Sequence, residues 1–166
     1  MNKPCAFALL AAIAGAFATH AWAARETLHI DVSVTVPTRG FYILPAEPDW
    51  IHRQQILQWN YPDSTLGGLS KNFDVRHDTS AIEARLESVP YLSTGRAGEE
   101  IGLRVRFNSV ELSADPGFRQ VLTKDEAAAG KRVPLEIDPI MPAGGYKPGE
   151  YSGNVLLLFN ANAPAG

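Results

Sequence analysis

Near the start of the chain, apolar and polar residues alternate strictly over ten positions. This segment covers residues 27–36, and Pro37 follows it directly. Because successive side chains of a strand point to opposite faces, the pattern predicts a strand with one apolar face. That face consists of Leu28, Ile30, Val32, Val34 and Val36.

The rest of the chain has the sequence pattern of an all-β protein. Short runs of strand-like composition are separated by clusters of glycine and proline, and no long stretch keeps a helical period. Many short strands in one chain favour two packed antiparallel sheets over a barrel. The predicted strands cover 41–44, 55–60, 73–77, 82–88, 101–108, 133–137 and 151–160.

Two of these local patterns are sharper than the others. In 101–108, apolar residues alternate with Gly102, Arg104 and Arg106, which predicts one buried face and one cationic face. A single short helix is predicted over 124–129. Thr123 and Glu126 have the spacing of a capping box before it, and a glycine follows its last residue.

A secretory signal peptide is predicted over residues 1–23. A lysine at position 3 is followed by an apolar stretch, 5–18, and then by the small-x-small sequence Ala-Trp-Ala. We therefore expect cleavage between Ala23 and Ala24. The apolar stretch is shorter than the roughly 20 residues of a membrane-spanning helix, which disfavours a retained anchor.

The charge and the cysteine content of the chain exclude some classes of partner and site. Loss of Lys3 with the signal peptide leaves 14 basic residues against 18 acidic ones, a net charge of −4, so we expect no nucleic acid partner. The one cysteine, Cys5, lies in the predicted signal peptide. The exported chain should therefore contain no disulfide, no thiol nucleophile and no cysteine metal site.

Candidate catalytic groups are sparse. The histidines of the predicted mature chain are His29, His52 and His77, and their spacing does not suit a metal site. Asp74, His77 and Asp78 near Ser80, and the pair Glu99 and Glu100, are interpreted as structural, because neighbouring residues point apart. We therefore expect no enzymatic activity, no metal and no cofactor. Trp50, Trp59 and Tyr61 suit either a sugar-binding patch or, as favoured here, core packing.

The C-terminal part contains the most apolar predicted strand. Pro148 and Gly149 suit a turn, and the apolar residues of 154–160 follow. As an open edge, such a strand would template aggregation, so a second strand should cover it. The N-terminal strand is the evident cover, from the same molecule or the next one. The alternation alone favours the first choice, an ordinary strand within its own sandwich.

Several segments resemble the CS-one-type fimbrial major subunits, the class five pilins of the alternate chaperone/usher pathway. The matching segments are 29–38, 81–93, 101–113 and 149–155. The resemblance covers most of the predicted mature chain, with little to match in 41–58 and 118–132. It implies an incomplete immunoglobulin-like β-sandwich, which a donor strand from another subunit completes.

The resemblance also implies an organisation and a function. A donor-strand extension over 24–37 would precede a sandwich domain over 38–166. The donor residues would be the five alternating ones named above, and the acceptor edge would comprise Tyr151, Gly153, Val155, Leu157 and Phe159. The chain would be the major subunit of a cell-surface fimbrium, exported through the periplasm. Its partners would be further copies of itself, a periplasmic chaperone, an outer-membrane usher and a minor tip adhesin. The alternative is a minor tip subunit or a secreted carbohydrate-binding module.

Overall fold

The computed structural model describes residues 40–161, so the predicted signal peptide and donor strand lie outside the described residues. The described strands, in chain order, are β1 (Phe41–Pro45), β2 (Trp59–Asn60), β3 (Thr65–Leu66), β4 (Leu69–His77), β5 (Ile82–Leu86), β6 (Tyr91–Ser93), β7 (Glu100–Phe107), β8 (Val110–Glu111), β9 (Arg119–Leu122), β10 (Lys131–Pro139) and β11 (Leu157–Asn160). A 3-10 helix covers Pro48–Trp50, and one α-helix, α1, covers Lys124–Ala129.

The strands form two main sheets and a small hairpin. The larger sheet has the order β1-β4-β10-β7-β6, with β8 paired to β7. The smaller sheet has the order β11-β5-β9, and β2 pairs with β3. All of these pairs are antiparallel. The all-β prediction is therefore confirmed.

The core lies between the inner faces of the two sheets. At its centre the Phe107 ring, fully buried on β7, contacts the rings of Phe73 and Phe159, with centroid distances of 5.8 and 5.0 Å. The inner residues of β7 are all buried, as their alternation predicts. Burial of these large apolar side chains is the main source of stability in such a sandwich.

The outer face of β7 is not the free cationic surface that its arginines suggest. Arg106 lies 2.6 Å from Asp138 and 3.4 Å from Glu136 on the neighbouring strand β10. Arg104 lies 3.7 Å from Glu111 on β8. Glu136 lies directly opposite Arg106, whereas Asp138 and Glu111 lie diagonally from the arginines that they contact, and these carboxylates balance the two positive side chains.

Helix α1 begins and ends at the predicted residues. The Thr123 hydroxyl accepts a hydrogen bond from the Glu126 backbone N–H at 3.3 Å, and the Glu126 carboxylate accepts one from the Thr123 N–H at 3.0 Å. Hydrogen bonds from Lys131 and Thr123 lower the pKa of Glu126 from 4.5 to about 2. Within the helix, Ala127 is the buried residue. No helix of residues 40–161 is long and apolar enough to cross a membrane.

Two predicted strands are shorter in the structure than their sequences suggest. Only Trp59–Asn60 of 55–60 and Leu157–Asn160 of 151–160 form strands of a sheet. In 151–156 the chain makes one bridge, at Ser152, to Ser93 of β6. A strand needs a continuous neighbour to bond with, and the remaining residues of both segments make only isolated backbone bonds of this kind within 40–161, from Gly67 to the Gln58 carbonyl and from Glu87 to the Leu156 carbonyl.

Candidate functional site

A long apolar cleft of about 1620 Å³ opens between the two sheets beside β11. Its floor is the inner face of the larger sheet. The register of β4, β10, β7 and β6 arranges this floor as five successive rungs, each two residues beyond the last. In order, the rungs are Phe73; Leu135; Leu69 with Ile137; Leu103; and Ile101 with Leu92.

One border of the cleft is β11 with the residues that lead into it. The carbonyl of Leu156 accepts a hydrogen bond from the Glu87 N–H, on the β5 side. Because backbone groups alternate in an antiparallel ladder, those of Leu157 and Phe159 point away from β5. No described strand pairs with β11 on that side. The border thus presents unpaired backbone donors and acceptors to the cleft.

A glycine allows this border to cross the larger sheet. Ser152 and Ser93 exchange two backbone hydrogen bonds of 2.9 and 3.1 Å. At the next residue, Gly153, a Cβ atom would collide with the carbonyl oxygen of Tyr91. After its bridge to β6 at Ser152, the chain therefore crosses to pair with β5. At Gly153, where it crosses, there is no space for a larger side chain.

The second border is the segment from Trp50 to Leu57. The Trp50 ring packs edge-on against Phe73 with a centroid distance of 5.6 Å, and Leu57 packs against the core. Between them, the backbone of 54–57 makes no hydrogen bond to another backbone group of residues 40–161. This segment lines the cleft and belongs to no strand, and its backbone groups have no backbone partner among residues 40–161.

Exposed apolar side chains are concentrated at the cleft. Twelve large apolar residues of the described chain are exposed, and seven of them line it. They are Ile51, Ile56, Trp59, Tyr61, Val89, Tyr91 and Leu156. A contiguous apolar surface of this kind marks a binding site rather than ordinary protein surface.

The charged side chains that line the described cleft are both positive. Arg53 lies beside the Phe73 end, and Lys147 lies beside the opposite end, where its ammonium group donates to the carbonyl of Gly98 at 3.3 Å. No carboxylate lines the cleft among the residues that the structure describes. The cleft therefore suits an apolar strand that carries a negative charge on its outer face.

The match to known proteins decides the family. Residues 26–160 match the family model of the CS1 type fimbrial major subunit. The chain belongs to this family. Its structure is similar to that of the CooA pilin subunit from enterotoxigenic Escherichia coli, with a TM-score of 0.63 and 14% sequence identity over 76% of this chain and 90% of that chain. Among curated proteins, no sequence matches it.

Membership of this family makes the chain a subunit of a cell-surface pilus. Members of this family are structural subunits of fimbriae. The similarity to the CooA pilin is one of fold, an immunoglobulin-like sandwich, and within residues 40–161 no strand pairs with the outer edge of β11. The expectation of a fimbrial subunit with this fold is confirmed.

The predicted acceptor residues divide between the cleft and the core. Tyr151, Gly153, Val155 and Leu157 line the cleft, and the Tyr151 hydroxyl donates to the carbonyl of Lys147 at 3.0 Å. Phe159 lies on β11, as Leu157 does, but its ring packs against the ring of Phe107 in the core. Sequence reasoning missed the rungs of the floor, because the pairings that align them join residues far apart in the chain. It also missed the role of 54–57 as a border.

The groups considered for catalysis are engaged in structural contacts. Arg132 donates two hydrogen bonds, of 2.7 and 2.9 Å, to Asp74 and thereby lowers the pKa of its carboxyl. The Nδ1 atom of His77 accepts from the backbone N–H of Ser80 at 2.8 Å. Thr94 donates to the Glu99 carboxylate at 2.7 Å. No cluster of residues within 40–161 has the composition of a metal site.

The three aromatic residues that suggested a sugar-binding patch do not form a separate site. Trp50, Trp59 and Tyr61 all line the cleft. Trp50 covers Phe73, and Trp59 packs edge-on against Tyr146 at 5.4 Å. Tyr61, by contrast, is 84% exposed.

Proposed function

We propose that this chain forms the shaft of a fimbria by donor-strand exchange, with residues 25–36 of one copy filling the cleft of the next. The observation that supports this most strongly is the match in number and spacing. Five rungs separated by two residues line the floor, and five apolar side chains separated by two residues line the donor segment. Each set spans eight residue steps, roughly 26 Å in extended chain.

Backbone chemistry supports the same proposal. A donor strand would satisfy the outward groups of Leu157 and Phe159 on one side and would reach those of 54–57 on the other. Main-chain hydrogen bonds would give this binding its affinity, and the alternating side chains its specificity. An uncovered edge of this kind would otherwise promote aggregation.

Charge also supports the donor assignment. The charged residues of 25–36 are Arg25, Glu26 and Asp31, which give the donor a net charge of −1, and Asp31 alternates with the apolar positions. Arg53 and Lys147 are the charged groups that line the described cleft. Opposite charges on the two surfaces favour encounter and help to exclude wrong partners.

Such an exchange produces a fibre. Each copy donates a strand at one surface and accepts a strand at a different one, so the interface is heterologous and does not close into a dimer. This proposal divides the chain into three segments. They are a signal peptide over 1–23, cleaved between Ala23 and Ala24, a donor extension over 24–37 and a sandwich domain over 38–166.

The open cleft requires a cover before assembly. We assign this role to a periplasmic chaperone, which would lend a strand of its own after export of the subunit. An outer-membrane usher would then exchange this strand for the donor of the next copy, and a minor tip adhesin would end the fibre. Stripping a whole strand from a core is slow, which would make the assembled shaft durable.

The test compares two substitutions one residue apart in the full chain, expressed with its secretion genes. Val32→Asp places a charge on the apolar face of the donor, and Ser33→Asp places the same charge on the polar face. We expect Val32→Asp to abolish the ladder of oligomers that resists mild heating in detergent. The Ser33→Asp chain should still form it.

Two results would count against donor-strand exchange. One is an intact ladder from the Val32→Asp chain. The other is equal loss of the ladder in both variants, which would point to a general effect of added charge. Soluble Val32→Asp subunit must also be recovered from the periplasm, because degradation of the monomer would indicate a strand of its own sandwich.

A further inference from the structure

Between the second border of the cleft and β4, the chain forms a small hairpin. Strands β2 and β3 pair only with each other among residues 40–161, and the Gly67 N–H donates to the Gln58 carbonyl at 2.8 Å to close the base of the hairpin. We infer that this hairpin, residues 58–67, is a strap that opens to admit a strand at one end of the cleft and then closes over it. The inference rests on the proposed function and adds how the cleft controls entry and release.

The hairpin has one apolar face and one polar face. Trp59 and Leu66 lie directly opposite each other in the pairing, and both line the cleft. Asn60 and Thr65 form the next pair, their side chains share a hydrogen bond of 3.4 Å, and neither lines the cleft. Because successive residues of a strand point to opposite faces, the apolar face is the one that is turned towards the cleft.

A ring contact of the hairpin joins the two borders of the cleft. The Trp59 ring packs edge-on against the Tyr146 ring, with a centroid distance of 5.4 Å. Trp59 follows the segment that forms the second border. Tyr146 precedes Lys147 and Tyr151, on the chain that leads into β11 and the other border. The two rings therefore bridge the cleft from border to border.

This bridge lies near the fourth and fifth rungs. β4 begins with Leu69 at the third rung, and Gly68 continues its line beside β10, where an added Cβ would collide with the carboxylate of Asp138. On the other border, an added Cβ at Gly149 would meet the methyl group of Thr94, just beyond the fifth rung. A strand that fills all five rungs must therefore pass beneath the bridge.

The hairpin is attached weakly enough to move. Leu57 before it and Leu69 after it pack against the core, whereas none of the described residues 58–68 does. The arm 54–57 makes no hydrogen bond to another backbone group of residues 40–161, and the β2–β3 ladder has only two residue pairs. Segments with few buried apolar contacts and exposed backbone hydrogen bonds open locally at a small cost in free energy.

A strand in the cleft gives the strap more apolar surface to bury. Trp59 is 38% exposed in the structure, where the cleft is open. With a strand beneath it, the apolar face of the hairpin loses contact with water, which favours the closed position. The strap therefore slows both the entry and the release of a strand at this end, and it closes more firmly when the cleft is filled.

Amide hydrogen exchange tests the opening in the full-length Val32→Asp chain, which should remain monomeric. The Gly67 N–H should exchange faster than that of Val75 in the middle of β4. Trp59→Ala should speed the exchange at Gly67 by about 2- to 12-fold, the range that corresponds to one aromatic pair, and leave Val75 unchanged. An unchanged Gly67 rate would overturn the inference, and so would equal acceleration at both positions, which would indicate a general loss of stability.

Binding kinetics test the control of entry and release. A labelled peptide of residues 25–38 is added to the Val32→Asp chain with and without Trp59→Ala. We expect Trp59→Ala to speed both association and dissociation. The matched control is Tyr61→Ala, which removes an aromatic residue, 84% exposed, from the same hairpin and should leave both rates unchanged. Faster dissociation with unchanged association would make Trp59 an ordinary binding contact and would overturn the inference.

A cross-link provides the opposite perturbation. The Trp59→Cys/Tyr146→Cys chain, in the Val32→Asp and Cys5→Ser background, is joined by a short bismaleimide. The closed strap should slow association of added peptide, and closure after binding should slow its dissociation. The single Trp59→Cys chain, treated with the same reagent, should show neither effect. Peptide binding with equal rates in all chains would refute the strap alone, whereas absence of binding in every chain would refute donor-strand exchange.

Discussion

Gly153 offers a sharp test of the border that β11 provides. An added Cβ would meet three backbone atoms, of Tyr91 and Leu92, and backbone cannot move aside as a side chain can. Forcing the contact typically costs about 1–3 kcal/mol. Separation of the crossing chains would also break both hydrogen bonds between Ser93 and Ser152, at about 0.5–1.5 kcal/mol each.

We therefore expect Gly153→Ala to lower the free energy of unfolding by about 2–6 kcal/mol, a large part of the about 5–15 kcal/mol typical of a domain. The matched control is Gly144→Ala, where a Cβ meets nothing within 4 Å. Urea denaturation followed by tryptophan fluorescence measures both variants. Binding of a labelled peptide of residues 25–38 to a chain without 25–36 then shows whether the displaced border still accepts a strand.

The reasoning fails if Gly153→Ala is as stable as Gly144→Ala. It also fails if Gly153→Ala loses stability yet binds the peptide with unchanged affinity, because the crossing would then not position the border. A destabilised chain that recovers stability when the peptide is in excess would agree with the proposal, since a ligand that binds only the folded state stabilises it.

Two further predictions concern the fold. The pKa of Glu126 is about 2 when folded and 4.5 ordinarily, so its stabilising contribution is complete above pH 4.5 and disappears as the pH falls through 2. Glu126→Gln should therefore lower stability at pH 6 and reduce the loss between pH 4.5 and pH 2; parallel stability curves of the two chains would contradict this. Phe107→Ala should destabilise by about 3–5 kcal/mol, because the removed ring lies between two others in the core. Phe118→Ala, at a position 37% exposed, should cost far less, and equal unfolding midpoints would contradict the described core.

Local patterns predicted the parts of the fold that depend on neighbouring residues. Helix α1 was predicted because its capping box and final glycine lie within eight residues, and β7 because its alternation determines which face is buried. The segments 55–58 and 151–156 have strand composition but form no strand of a sheet, since a strand also requires a continuous partner. The rungs of the cleft depend on the register of distant strands, which alternation within a single segment does not reveal.

The alignment of the cleft with the strands has a mechanical consequence for a pulled fibre. In the proposed assembly, tension enters a subunit at Gly40 and leaves through the donor strand in its cleft, and both lie along the axis of β4 and β10. Hydrogen bonds of antiparallel strands run perpendicular to that axis. The load would therefore shear all of the donor's bonds together instead of opening them one after another, as in a zipper. Rupture force would depend on the length of the donated strand, and the three residues between Val36 and Gly40 would leave little slack between successive subunits.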